Sequence, residues 1–124
     1  MELKEGMSYS SEVVVSDANS AKHWGSGELD VFATPAMVAL MENAAMNAVA
    51  PALEPGGDTV GTAVNINHTK ATGLGDTVRA TAVLKEVDGR KLVFEVRAAD
   101  SKGEIGSGTH TRFVVDREKF LGRL

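Results

Sequence analysis

The segment from Thr34 to Leu53, TPAMVALMENAAMNAVAPAL, limits the possible folds more than any other. Glu42 is the only charged residue between Asp30 and Glu54. Ala, Met and Leu are strong helix formers. Thr34 is placed to cap a helix, Pro35 suits its first position, and Pro51 followed by EPGGD ends it. The pattern predicts a helix over 35–50, apolar on most of its circumference. Such a helix cannot lie on a surface; it needs apolar neighbours on nearly every side.

The rest of the chain supplies a sheet. MSYSSEVVVSD reads as a first strand, rich in β-branched residues. After the helix come four strand-like runs, at about 60–69, 76–87, 90–99 and 104–115. In the third, Leu92, Phe94, Val96 and Ala98 alternate with Lys91, Glu95 and Arg97, giving one buried and one wetter face. Asp88–Gly89 is a hairpin turn signal. ANSAKHWGSGELDVF has no period, and irregular segments of this length usually do something, such as covering a site. DREKFLGRL reads as a short helical or frayed tail. The expected architecture is α+β: a hotdog fold, with a curved antiparallel sheet wrapped round one long central helix, in a single domain over residues 1–124. Such a domain leaves a sheet edge and a helix flank open, and pairing two copies closes both. A homodimer or higher homo-oligomer is therefore expected.

Bulk properties remove several function classes. The chain has 124 residues, 13 basic against 17 acidic, and a net charge of −4. That balance argues against nucleic-acid binding. There are no cysteines, so disulfides, thiolate catalysis and cysteine metal sites are excluded. No close-spaced ligand pair suggests a metal, and no glycine-rich phosphate loop suggests a nucleotide cofactor. The N-terminus MELKEGMSYSSE has no apolar core of a signal peptide, and 35–53 is too short and polar to span a membrane. The expected location is the cytoplasm.

Function must then lie with polar residues in apolar places. Glu42 aligns at helical spacing with Val38, Ala39, Ala45, Met46 and Val49. It is either a desolvated base or nucleophile, or part of a solvated stripe beside Asn43 and Asn47. His68 shares a strand face with Val64 and Ile66, so it either satisfies the core or reaches a site. Thr34 is a cap, or a hydroxyl where a helix N-terminus favours anions. Gly61, in mid-strand, marks a bulge or a ligand's approach to the backbone. His110 falls opposite Ile105, Phe113 and Val115, which places it at a surface or subunit contact. His23 lies in the irregular segment with no assignable role.

Three motifs, VFATPAMVALMENA, LEPGGDTVGTAVNINHTKAT and EIGSGTHTRFVVDREKF, resemble the fluoroacetyl-CoA thioesterase group of hotdog-fold acyl-CoA thioesterases. The resemblance runs from Val31 to Phe120. It implies that Thr34, Glu42 and His68 act together in thioester hydrolysis. Glu42 would attack the carbonyl or activate water, Thr34 would bond Glu42 or the acyl oxygen, and His68 would position the acyl group and handle the proton. A backbone N–H near Gly61 would serve the oxyanion. The CoA arm would follow the dimer interface, with Lys70, Arg79 and Arg112 available to its phosphates. The family's phenylalanine-bearing lid has no counterpart in KHWGSGELDVF, whose only aromatics are Trp24 and Phe32. A short or medium acyl-CoA is therefore expected, and fluoroacetyl-CoA is not singled out as the substrate. The alternative is a module that binds CoA thioesters or another small ligand without turning them over.

Overall fold

Strand β1 (Ser8–Val14) leads into an irregular segment that contains one short helix, α1 (Ala21–Trp24). Helix α2 (Thr34–Val49) and a 3-10 turn over Ala50–Ala52 come next. Strands β2 (Gly57–His68), β3 (Thr77–Asp88), β4 (Lys91–Asp100) and β5 (Gly103–Asp116) follow, and helix α3 (Arg117–Gly122) closes the chain. This computed structural model describes residues 2–124. The five strands form one antiparallel sheet in the order β1-β3-β4-β5-β2. The first strand after the long helix thus crosses to the far edge. No helix of the described residues is long and apolar enough to cross a membrane.

Alternation explains the core. Val78, Ala80, Ala82 and Leu84 of β3 and Leu92, Phe94, Val96 and Ala98 of β4 are buried. They face Met37, Met41, Ala44, Ala45, Ala48 and Val49 of α2. Alanines on both sides let the helix lie close, and the methionines fill what remains. One flank of α2 stays open: Met46 is exposed, and so is Val64 on the neighbouring edge strand β2.

Two expectations are corrected. Thr34 is not the cap: Ala33 holds that position with extended backbone, Thr34 is the first helical residue, and the proline follows it. A Thr-Pro pair fits either position, because the first turn leaves several N–H groups without intrahelical partners. His110 is not at the surface. It is 1% exposed, whereas Phe113 is 36% exposed. The register shifts between Ala98 and Ala99, and Ile105 and Gly106 are both buried. From Gly106 onward the inward positions are even-numbered. Gly106 leaves room for the helix: a Cβ there would lie 2.8 Å from Met37 Sδ and 2.6 Å from Asn67 O.

The segment after β2 is pinned by a buried carboxylate. Asp100, with a side chain 2% exposed, accepts from Lys70 Nζ at 2.7 and 2.8 Å, Thr72 Oγ1 at 2.8 Å and Lys102 N at 2.8 Å. Burial pushes its carboxyl up, but these donors together outweigh burial and hold it at about 2. A depressed carboxyl contributes stability above its unfolded value of 3.8 and loses it as pH falls toward 2. Asp100→Asn should therefore lower stability by about 2 kcal/mol at neutral pH. It should also flatten the acid limb between pH 4 and 2, both read from urea midpoints.

Candidate active site

The N-terminus of α2 meets the end of β2. Because Thr34 does not cap, its hydroxyl is free, and Oγ1 lies 2.7 Å from His68 Nδ1. The other ring nitrogen, Nε2, is buried with no hydrogen-bond partner among the described residues. Burial holds the imidazole below its usual range, opposed only in part by the nearby Lys70 backbone. The ring is therefore neutral at pH 7, with one nitrogen engaged and one waiting. A cleft of ≈300 Å³ adjoins this pair, lined by Ser26, Phe32, Thr34, His68 and Lys70 among others. The Lys70 ammonium is already held by Asp100.

Glu42 lies two turns further along α2, about 12 Å from Thr34 along the helix axis. Its carboxylate, 40% exposed, turns toward β2 and β5, where Oε2 is 3.9 Å from Arg112 Nη1. It is neither enclosed by apolar side chains nor on a free polar stripe. Gly61 makes this approach possible. A Cβ there would sit 2.7 Å from Glu42 Oε2 and 3.1 Å from His110 Cε1. The ladder to β5 also shifts between Gly61 and Ala63, so a bulge and a close approach coincide. The group that needs the space is Glu42.

Beneath Gly61 the Arg112 guanidinium is buried and three of its five N–H donors are used. Nε donates to Thr59 Oγ1 at 2.9 Å, Nη2 to Thr59 O at 2.9 Å, and Nη1 to His110 Nε2 at 3.1 Å. His110 Nδ1 lies 2.8 Å from the Ala63 carbonyl, which can only accept. Its proton is therefore on Nδ1, and Nε2 is left to accept from Arg112. Burial holds His110 down, aided by the Arg112 charge and opposed by the Ala63 hydrogen bond and Glu42. Burial also lowers Arg112, opposed by Glu42 and Asp58, but guanidinium stays a cation. Phe94 stacks on the imidazole with ring centroids 6.3 Å apart.

The sequence candidates thus divide into two groups within a protomer. Thr34, His68 and Lys70 lie together, and Glu42, Gly61 and Arg112 lie together. His68 and Gly61 are seven residues apart on β2, on the order of 20 Å along the strand. Arg79 borders a different surface, with Thr81 and Arg97. Sequence reading missed Thr59 and the inward aim of His110. The available signal was parity: Gly106, Gly108, His110 and Arg112 share one face, and two glycines on a strand face mark close approach.

The family model described as "Fluoroacetyl-CoA-specific thioesterase" matches residues 15–118. The chain belongs to this family. A fluoroacetyl-CoA thioesterase of Streptantibioticus cattleyicolor is 54% identical over 95 residues, covering 77% of this chain and 68% of that one. The crystal structure of the fluoroacetyl-CoA-specific thioesterase FlK superposes with a TM-score of 0.92 at 41% identity, covering 99% of this chain and 96% of that one. A point mutant of FlK in complex with fluoroacetate and CoA superposes at 0.89 with 43% identity, over 95% and 99% of the two chains. A thioesterase superfamily member from Thermus thermophilus, 27% identical, gives 0.89 over 97% and 89%. The expected hotdog architecture is that of these thioesterases, and the activity class is hydrolysis of an acyl-CoA thioester.

Gly61→Ala separates site from scaffold. The added methyl displaces the flexible end of Glu42 and presses on His110 Cε1 and Arg112 Nη1 at 3.1 and 3.3 Å, so stability should fall by about 1–2 kcal/mol, roughly 4–8 °C in Tm, with the fold retained. kcat/KM for thioester hydrolysis should fall at least about tenfold. Thermal melts and thiol release on the same preparation check both.

Proposed function

We propose that the protein hydrolyses a short acyl-CoA thioester at a site completed by a second copy of the chain. The observation that carries this is the division of the polar groups in one protomer: Thr34 and His68 at the end of β2, Glu42 and Gly61 near its middle. β2 is an edge strand, and beside it lie the open flank of α2 and exposed Val64. An unpaired edge of this length invites another strand. A two-fold axis at Asn65 would pair β2 with its copy antiparallel, with the register shift between Gly61 and Ala63 taking up one residue. His68 of one chain would then lie opposite the partner's Gly61, and so beside the partner's Glu42.

In such a site each group has a role that its geometry supports. With the Thr34 hydroxyl donating to Nδ1, His68 carries its hydrogen on the waiting Nε2 and donates it to the thioester oxygen. A neutral imidazole can polarise a carbonyl in this way. The Glu42 carboxylate takes a proton from water as the water oxygen attacks the carbonyl carbon. The carbon–sulfur bond then breaks, and the proton on Glu42 passes to the departing sulfur. The products are the free acid and CoA thiol. Arg112, itself held by Thr59 and His110, attracts Glu42 from below. A second reading makes Thr34 the nucleophile and His68 its base, because 2.7 Å is also nucleophile–base distance.

The small cleft beside Thr34 supports a short acyl group. Phe32 borders it but is buried in the core, and Trp24 is exposed with its indole N–H on the Ala18 carbonyl at 3.2 Å. The loop therefore offers no aromatic lid. A cytoplasmic location fits a CoA thioester substrate.

Thiol release from a panel of acyl-CoAs, acetyl to decanoyl with fluoroacetyl and phenylacetyl, tests this reading. Glu42→Gln should lower kcat by about 10²-fold or more with the fold intact. Equal turnover in Glu42→Gln with loss in Thr34→Ala would favour the threonine nucleophile. No turnover of any substrate would leave a binding module. Because burial lowers His68, the acid limb of kcat/KM should have its midpoint below the ordinary imidazole value of 6.5; a midpoint above 6.5 would contradict the neutral-donor role.

A further inference from the structure

A group of cations at the far end of the sheet has no part in the chemistry above. Helix α3 leaves β5 directly, capped by Asp116, which accepts from Lys119 N–H at 3.0 Å. Together with the β3–β4 turn and the start of β2, it encloses a cleft of ≈390 Å³. Arg90, Lys119 and Arg123 line this cleft alongside Phe120. All three cations are exposed, and none forms an ion pair within 4 Å among the described residues. Arg117 of the same helix, by contrast, is paired with Asp58 at 3.2 Å. Two carboxylates share the lining, Glu54 and Asp116, and the second is occupied by the cap. The cleft is therefore net positive on a chain whose net charge is −4.

Its position suggests what it takes. Gly57 and Val114 form part of the lining. Gly57 is four residues from Gly61 on β2, and Val114 is two from Arg112 on β5. The cleft thus begins about 13 Å along one strand, and about 7 Å along the other, from the residues around Glu42. An extended pantetheine arm spans that distance. Beyond the arm, CoA carries a diphosphate, a 3′-phosphate of about −2 charge and an adenine ring. Free cations beside a half-buried aromatic ring match that end of the molecule. Neither Lys70, held by Asp100, nor Arg112, buried under Gly61, presents an unengaged charge to it.

We propose that the cleft between α3 and the β3–β4 turn is the subsite for the 3′-phosphoadenosine diphosphate end of CoA. Arg90, Lys119 and Arg123 pair with its phosphates, and Phe120 lies against the adenine. The identity of the ligand rests on the thioesterase reading; the anion site itself does not.

The test uses the full chain and the double variant Lys119→Glu with Arg123→Glu, both surface positions, with circular dichroism to confirm the fold. Adenosine 3′,5′-bisphosphate should bind the wild type in calorimetry, more weakly as salt rises, and bind the variant at least about tenfold less. With an acyl-CoA and the matching acyl-pantetheine as substrates, the variant should raise KM for the first by a similar factor and leave the second unchanged. Absence of bisphosphate binding by the wild type, equal binding by the variant, or equal effects on both thioesters would overturn the subsite. Bisphosphate binding without turnover of either thioester would instead sink the thioesterase reading and leave the anion site standing.

Discussion

The buried guanidinium of Arg112 organises the working end of this protein. A guanidinium cannot shed its charge when it leaves water, so its donors must be met. Thr59 meets two of them through its hydroxyl and carbonyl, and His110 meets a third. The remaining attraction falls on Glu42 at 3.9 Å. Several sequence features follow from that arrangement. His110 must be neutral with its proton on the Ala63 side, Gly61 must have no side chain, and the β2–β5 ladder must shift beside it. Glu42 in turn helps set the rotation of α2. With Glu42 turned toward β2, Met37, Met41, Ala44, Ala45 and Ala48 lie against β3 and β4.

Most of the scaffold is legible from sequence because its signals are redundant. The helix carries a start at Thr34–Pro35, a stop at Pro51 and a composition that leaves no alternative. β3 and β4 alternate cleanly, and Asp88–Gly89 marks their turn. β5 is harder. Glycines at 106 and 108 leave the alternation without a phase, and a register shift lets two successive residues turn inward. An apolar reading then chooses Phe113 over His110 and inverts the strand. Thr34 misleads by a single position, because a threonine before proline suits the cap as well as the first turn. That one-residue difference frees the hydroxyl for His68. The candidate residues were visible as polar groups in apolar surroundings. Their partners were not, because Thr59 looks like any strand threonine until its register against Arg112 is known.

Family membership gives thioester hydrolysis as the activity class, and the protomer's geometry raises the next question. Thr34 and His68 form a neutral, pre-aligned pair with an unsatisfied nitrogen, and Glu42 forms a charged group held over Arg112. Each lacks what the other has. The distance along β2 keeps them apart in one chain, and in the proposed dimer a second chain at the open edge of that strand would bring them together. In this account the dimer is part of the catalyst, and the free edge of β2 is a component of the site.

Subunit complementation tests that claim most directly. Glu42→Gln and His68→Ala are each inactivating in the account. If a site draws His68 from one chain and Glu42 from the other, a mixed dimer holds one intact site and one doubly altered site. Co-expressing or co-refolding the two variants in equal amounts should restore about a quarter of wild-type turnover per chain. Activity that stays at the level of the two separate variants, with mixed dimers present, would place Glu42 and His68 of a working site in the same chain and contradict the account.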